Sequence, residues 1–225
     1  MAVGGASSSI VAMGSSDCEA IRDGWLAQPV NTWSSGAYLL AAAYLVVRHR
    51  ALLAGALSTT PAVLALGAVA IGSILYHGPQ PTWADAVHDA SMTLLLGTLA
   101  GRGGADGSLG SRHRRTLPVA VVAAALLVIA VPSSVAAVHG ALAGLVAIRK
   151  VRTVRRHGLE PAAQLALVAL AAGIVLFAVG RTGGPLCEPG SLAQPHAGWH
   201  VATAIAGAAL ATVDVRAQHR CPRAP

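Results

Sequence analysis

Seven apolar stretches recur along the chain, separated by short polar segments. Each is close to the ~20 residues an α-helix needs to cross about 30 Å of hydrocarbon. They run from about Asn31 to Val47, Thr60 to Tyr76, Trp83 to Ala100, Leu117 to Val131, Ser134 to Ile148, Ala162 to Val179 and His196 to Val213. The fifth is the weakest, because Pro132 leaves only a tight turn before it. Ala51–Ser58 is loosely apolar and reads as an interfacial connector. The Gly-, Arg- and Ser-rich stretch Gly101–Thr116 reads as a loop rather than a linker between domains. Residues 1–14 have no basic n-region, and their Gly/Ser content breaks any apolar core, so they are not expected to be a signal peptide. No solenoid-like repeat is visible. The pattern predicts an all-α membrane protein with a single seven-transmembrane-helix domain. Residues 1–30 form an N-terminal segment, 31–214 the bundle and 215–225 a tail.

Composition supports that pattern. Hydrophobic residues make up 54% of the chain and charged residues 11%, with a mean hydropathy of +0.61. A soluble domain carries about 25% charged residues, and disordered segments are polar and charge-rich; both classes are excluded. The net charge of +7 would suggest nucleic acid in a soluble protein, but its distribution argues otherwise. With the N-terminus outside, the inner segments hold Arg48, Arg50, Arg102, Arg112, Arg114, Arg115, Arg149, Lys150, Arg152, Arg155, Arg156, Arg216, Arg220 and Arg223. Only Arg22 and Arg181 remain outside, a 14-to-2 division. This is a strong positive-inside signal, and it predicts an extracytoplasmic N-terminus and a cytoplasmic C-terminus. The basic clusters are short loops between spans, so no nucleic-acid partner is expected. All four tryptophans (Trp25, Trp33, Trp83, Trp199) fall on the outer side, where indole anchors at the interface. The Ala-, Gly- and Ser-rich helices permit close packing in lipid. An Ala- and Arg-rich, Lys-poor composition points to a GC-rich bacterial genome and hence to the plasma membrane.

Ionisable residues within spans are costly and usually functional or paired. Three groups stand out: Ser73 with His77; Asp85, His88 and Asp89; and His196 with His200. A spacing of four puts both members of a pair on one helical face, so His196 and His200 can offer two imidazoles to one metal. His77, at a similar depth, could supply the third. Three histidines and a water make a catalytic zinc site with an open fourth position, where the water's pKa falls towards about 7. Asp89 could orient or deprotonate that water, and Ser73 could donate to a developing oxyanion. Each residue also has a plainer reading. An isolated H-x-x-x-H is a weak motif, and His77 alone fits an interfacial residue. Asp89 fits a helix-packing hydrogen bonder, and Asp85 a charge favoured by the helix dipole. His88 points about 100° away from Asp89, and His139 fits an interhelical hydrogen bonder.

A series of motifs occurs in order: Asp17-Cys18-Glu19, Asn31-Thr32-Trp33-Ser34, Gly72-Ser73 through His77, Asp89-Ala90-Ser91-Met92, Leu186-Cys187 and His196-Ala197-Gly198-Trp199-His200. The series resembles the alkaline ceramidase family and, more broadly, the seven-helix hydrolase superfamily that includes the adiponectin receptors. Ala90 replaces an acid of the family's Asp-Glu-x-x-Met segment, and Met92 arrives one residue early. The resemblance implies zinc on His77, His196 and His200, water activation by Asp89, oxyanion stabilisation by Ser73 and a disulfide between Cys18 and Cys187. It implies hydrolysis of the amide bond of ceramide or a related membrane lipid to a sphingoid base and a fatty acid. The family also binds calcium through its N-terminal segment. Glu19 is retained here, but Ile21 and Gln28 stand where the family has an Asn and a further acid. Calcium takes six to eight oxygen ligands, and Asp17, Glu19 and Asp23 read alternatively as a solvated acidic loop.

Three expectations compete. The first is a zinc-dependent intramembrane amidohydrolase. The second is a receptor-like or lipid-sensing protein that keeps the zinc fold but turns over little. The third is a transporter using buried His and Asp as a proton relay, disfavoured because the polar residues gather in one leaflet. Cys221 is expected inside, as a free thiol.

Overall fold

The structure, a computed structural model, describes residues 13–50, 59–102 and 111–220; the side chains of 102, 111–115, 157 and 214–220 are not among those described. The predicted connector Ala51–Ser58, Cys221 and Arg223 lie outside the described residues, as do residues 1–12 and 103–110.

Every regular element among the described residues is helical. A short helix α1 (Pro29–Ser34) leads through Ser35 into α2 (Gly36–Arg48). Ser35 keeps right-handed helical angles, so the first predicted span is an almost continuous rod with a seam at that serine. Then follow α3 (Thr60–His77), α4 (Ala84–Arg102), α5 (Ser111–Ala130), a 3-10 turn (Pro132–Ser134), α6 (Val135–His157), α7 (Pro161–Val179) and α8 (Pro195–Arg220). Proline opens α1, α3 and α7, where its missing N–H breaks no helical bond.

Three boundaries differ from the sequence expectation. The loop expected to end at Thr116 ends earlier, because α5 starts at Ser111 and carries Pro118 inside it. Helix α6 continues past Ile148 to His157, so the basic cluster Arg149–Arg156 sits on its last turns, where the helix dipole favours cations. Arg149 there donates from Nη1 to the Ala100 carbonyl at 2.6 Å, satisfying an acceptor near the end of α4. Helix α8 runs to Arg220, so the tail expected from residue 215 begins as helix. In each case the apolar run stops where charge begins, but backbone hydrogen bonding continues.

Helix α3, the stretch Pro132–Arg156 that includes α6, and α7 are long and apolar enough to cross a membrane. In α5 the apolar part is the shorter Thr116–Ala130. These three helices fit a membrane protein. Helix α2 has only 13 residues, and α4 and α8 carry the ionisable residues singled out above.

Tyr38, Leu45, Leu66, Val69, Leu95 and Leu99 form the centre of the core, between α2, α3, α4 and α8. The phenol of Tyr38 meets the Thr203 hydroxyl at 2.6 Å. Helix α7 lies on α8 through Ala163, Ala166, Ala169 and Gly173. A Cβ at Gly173 would come within 3.2 Å of Ala202 Cβ and the Trp199 ring; such small residues let helices approach where no hydrophobic force drives them together. Large apolar side chains such as Leu126, Ile129, Val168 and Val175 point outwards, as a lipid-facing surface requires and a soluble one would not tolerate as a wide patch.

Candidate metal centre

Helices α3 and α8 bring three of the predicted residues together. His77 ends α3, and His196 and His200 occupy the first turns of α8. Each offers a ligand atom, and these atoms lie within 4.8 Å of one another. The ring centroids are 5.1 Å apart for His77–His196, 5.1 Å for His77–His200 and 4.6 Å for His196–His200. All three side chains are buried. The spacing of four within α8 therefore does what it predicts, and His77 is the third member of the cluster.

Two hydrogen bonds and one longer contact to a carboxylate indicate which ring nitrogens face the cluster. Ser34 Oγ lies 2.8 Å from His200 Nδ1 and 3.0 Å from the Asn31 carbonyl. A carbonyl cannot donate, so the serine proton goes to Asn31 and the hydroxyl accepts from His200 Nδ1–H. Asp17 Oδ1 stands 3.6 Å from His196 Nδ1 and can only accept. His77 Nδ1 meets Gln28 Oε1 at 2.7 Å. Each imidazole thus has a partner at Nδ1, which leaves Nε2 for the cluster. His77 Nε2 is buried without a hydrogen-bond partner. An orphaned buried acceptor is costly, and a metal ion would satisfy it. A histidine that binds a metal usually has such an outer partner on its second nitrogen, so these residues fit a metal ion.

Ser73 also reaches the cluster, with Oγ 3.4 Å from His200 Nε2. Its hydrogen-bond chain qualifies the predicted role. Ser35 Oγ is 2.7 Å from the Asn31 carbonyl and must donate there, so at 2.8 Å Ser73 donates to Ser35. Ser73 therefore turns lone pairs towards the histidines, and donation to an oxyanion requires its hydroxyl to leave Ser35. Close approach of α3 and α4 beside it depends on Gly72, where a Cβ would lie 2.8 Å from Ser91 Oγ and 3.0 Å from His88 Cα.

Asp89 is not in direct hydrogen bonding with the cluster. Its carboxylate pairs with His88 Nδ1 at 3.1 Å, both side chains being about a quarter exposed. The His88 ring stacks on Tyr76 (4.8 Å), whose ring meets His77 edge-on (4.9 Å). His88, which the helical wheel turns away from Asp89, thus bonds it and links it to the cluster through two ring contacts. His139 is the interhelical bonder its position suggests: Nε2 donates from α6 to the Asp89 carbonyl at 3.1 Å. Asp85 accepts the Ala86 amide in the first turn of α4.

The N-terminal segment lies over the histidines. Cys18 and Cys187 are joined in a disulfide, and the segment is pinned further by Thr182 N–H to Ser16 O (3.1 Å) and Ala20 N–H to Pro189 O (3.0 Å). Asp17 and Glu19 are 4% and 3% exposed, so the solvated-loop alternative fails for both. Asp17 bridges His196 and Arg181 Nη1 (3.4 Å). The two Glu19 oxygens each accept an amide, from Val30 and Asn31, at 2.8 Å, anchoring the positive end of α1. With Glu19 engaged in this way and a neutral amide at Gln28, the residues present do not fit a calcium ion.

Sequence reasoning did not assign Gln28, Ser34, Ser35 or Asp17 a part around the histidines. Ser34 stood in the Asn-Thr-x-Ser motif and Gln28 appeared only as a departure from an acid; Ser35 had no signal.

An apolar cavity of about 580 Å³ opens between α2, α7 and α8. Ala37 and Val201, two of its lining residues, are close sequence neighbours of Ser35 and His200. Leu40 and Leu165 form outward-facing walls.

No family model matches this chain. No curated protein matches it either.

Proposed function

We propose that this protein is a multi-pass membrane zinc hydrolase that cleaves the amide bond of ceramide or a related lipid amide. The carrying observation is the buried triad His77, His196 and His200 with Ser73 beside it. The ordered motif series supports the substrate class, and so does a cavity of a size that suits a drug-sized or larger apolar ligand. In this reading α2 (continued from α1) and α3 to α8 cross the bilayer of a bacterial plasma membrane, with the N-terminus outside and the C-terminus in the cytoplasm. The 14-to-2 division of basic residues supports that orientation.

Zinc on the three histidines would supply a bound water with a pKa near about 7 and a Lewis acid for the amide carbonyl. Asp89 is the proposed proton acceptor, with His88 holding its carboxylate and the Tyr76 stack fixing His88. Ser73 would donate to the developing oxyanion once its hydroxyl leaves Ser35. Gln28, Ser34 and Asp17 orient the three imidazoles.

Mass spectrometry of membrane lipids after expression of wild type and of Asp89→Asn tests this reading. A fatty acid and amine pair should appear with wild type alone; the same pair with both chains, or with neither, would overturn it. The pairing of Asp89 with His88 rather than with the cluster favours a second reading, a zinc-containing lipid sensor. Stoichiometric zinc with no turnover of any lipid amide would select that one.

A further inference from the structure

Gln28 is fully buried just ahead of α1. Backbone bonds place it: its own N–H donates to the His77 carbonyl at 2.8 Å, and the Ala27 N–H to the Gly78 carbonyl at 3.1 Å. Its side chain meets three partners. Nε2 lies 2.9 Å from the Gly14 carbonyl and 2.8 Å from the Glu19 carbonyl, and Oε1 lies 2.7 Å from His77 Nδ1.

This network has one consistent proton assignment. Two carbonyl oxygens can only accept, so the group facing them is the NH2, and both its protons are used. Turning the amide over would set an oxygen against two oxygens under 3 Å away. Oε1 is then an obligatory acceptor, and His77 must carry its proton on Nδ1. In the neutral ring, Nε2 is left with a bare lone pair, and Nε2 is the buried atom that has no partner. A carboxylate at position 28 could accept from His77, but it would face the Gly14 and Glu19 carbonyls with no proton to give. The space is also reserved for the amide: Gly14, at φ +73°, would bring a Cβ within 2.3 Å of Gln28 Oε1.

We propose that Gln28 is a positioning residue that locks His77 as the Nδ1–H tautomer and aims its Nε2 lone pair into the histidine cluster. The N-terminal segment is then part of the site's construction, contributing the Gly14 and Glu19 carbonyls that fix the amide. The consequence for affinity rests on the zinc reading above; the consequence for the tautomer does not.

The test uses the full chain in detergent, labelled with 15N-histidine and free of added metal, with the His77 signals assigned by their loss in His77→Asn. Wild type should show a protonated Nδ1 and an unprotonated Nε2 at His77. Gln28→Met, of similar volume but without polar atoms, should lose that pattern and lower zinc affinity by about 10- to 100-fold in chelator competition. Gly14→Ala removes no polar group but drives the amide off His77, and should change both readouts in the same direction; it carries the comparison if Gln28→Met does not fold. Wild-type His77 signals in either folded variant would overturn the proposal. A tautomer change as expected in a protein that binds no zinc would uphold the positioning role and overturn the zinc reading instead.

Discussion

The end of the fold where α3 finishes and α8 begins, and the region of α5 and α6, are assembled by different forces. Around His77 and His200 the buried side chains are polar: Gln28, Asn31, Ser35, Ser73 and the histidines themselves. On α5 and α6 the buried apolar contacts are Val121, Ala125, Val128 and Val146, and most of the large side chains face outwards. In lipid, apolar surface gains little by choosing a protein neighbour over a hydrocarbon tail. Apart from the bonds of Arg149 and His139 to α4 carbonyls, α5 and α6 are therefore held mainly by shape, whereas the histidine end is held by directed bonds. Damage should accordingly be specific and large at the first region and graded at the second.

The largest effect is expected from His196→Ala/His200→Ala. Wild type should contain about one zinc per chain and the double variant none, as read by metal analysis of purified protein. Zinc retained by the variant would place the ion elsewhere. Next comes Cys18→Ser, which frees the segment that brings Asp17 and Gln28 to the imidazoles. The disulfide closes a sequence separation of 169 residues, and loss of a native disulfide typically costs about 2–5 kcal/mol. Thermal unfolding in detergent should fall accordingly, with zinc affinity falling alongside it; an unchanged Tm would detach the segment from the stability of the site. The smallest effects lie in the other region. Gly97→Ala puts a Cβ 2.5 Å from both Val121 methyls, an overpacking expected to cost about 1–3 kcal/mol. Leu126→Met, on an outward-facing position, should stay within about 0.5 kcal/mol. Equal losses for these two would show that α5 is not held by shape alone.

The same contrast explains what the sequence made legible. Helix centres follow hydropathy, and all seven apolar stretches lie on helices. The i, i+4 pairs Ser73/His77 and His196/His200 were readable because one helix fixes both members. The partners of the imidazoles were not, because they cross the fold: Gln28 is 49 residues from His77 and Ser34 is 166 from His200. Nothing local in Asp17 or Glu19 shows that burial replaces solvent around them. Asp89 was readable as an unusual acid, but its bond to the adjacent His88 depends on side-chain rotamers that a helical wheel does not carry. Helix ends were misjudged wherever charge arrived before the backbone ladder stopped, as on α6 and α8.

Gly72 has a consequence beyond packing. By bringing α3 to within a methyl group of Ser91 and the His88 backbone, it closes the α3–α4 seam beside the histidines. On the other flank, a Cβ at Gly198 would reach 2.8 Å from Leu176, so the α7–α8 seam is closed as well. The disulfide-tied N-terminal segment covers the end, and the cavity between α2, α7 and α8 opens to the side. In the proposed membrane setting that cavity, walled by Leu40 and Leu165, faces hydrocarbon, so the first selection its occupant meets is partition into the bilayer.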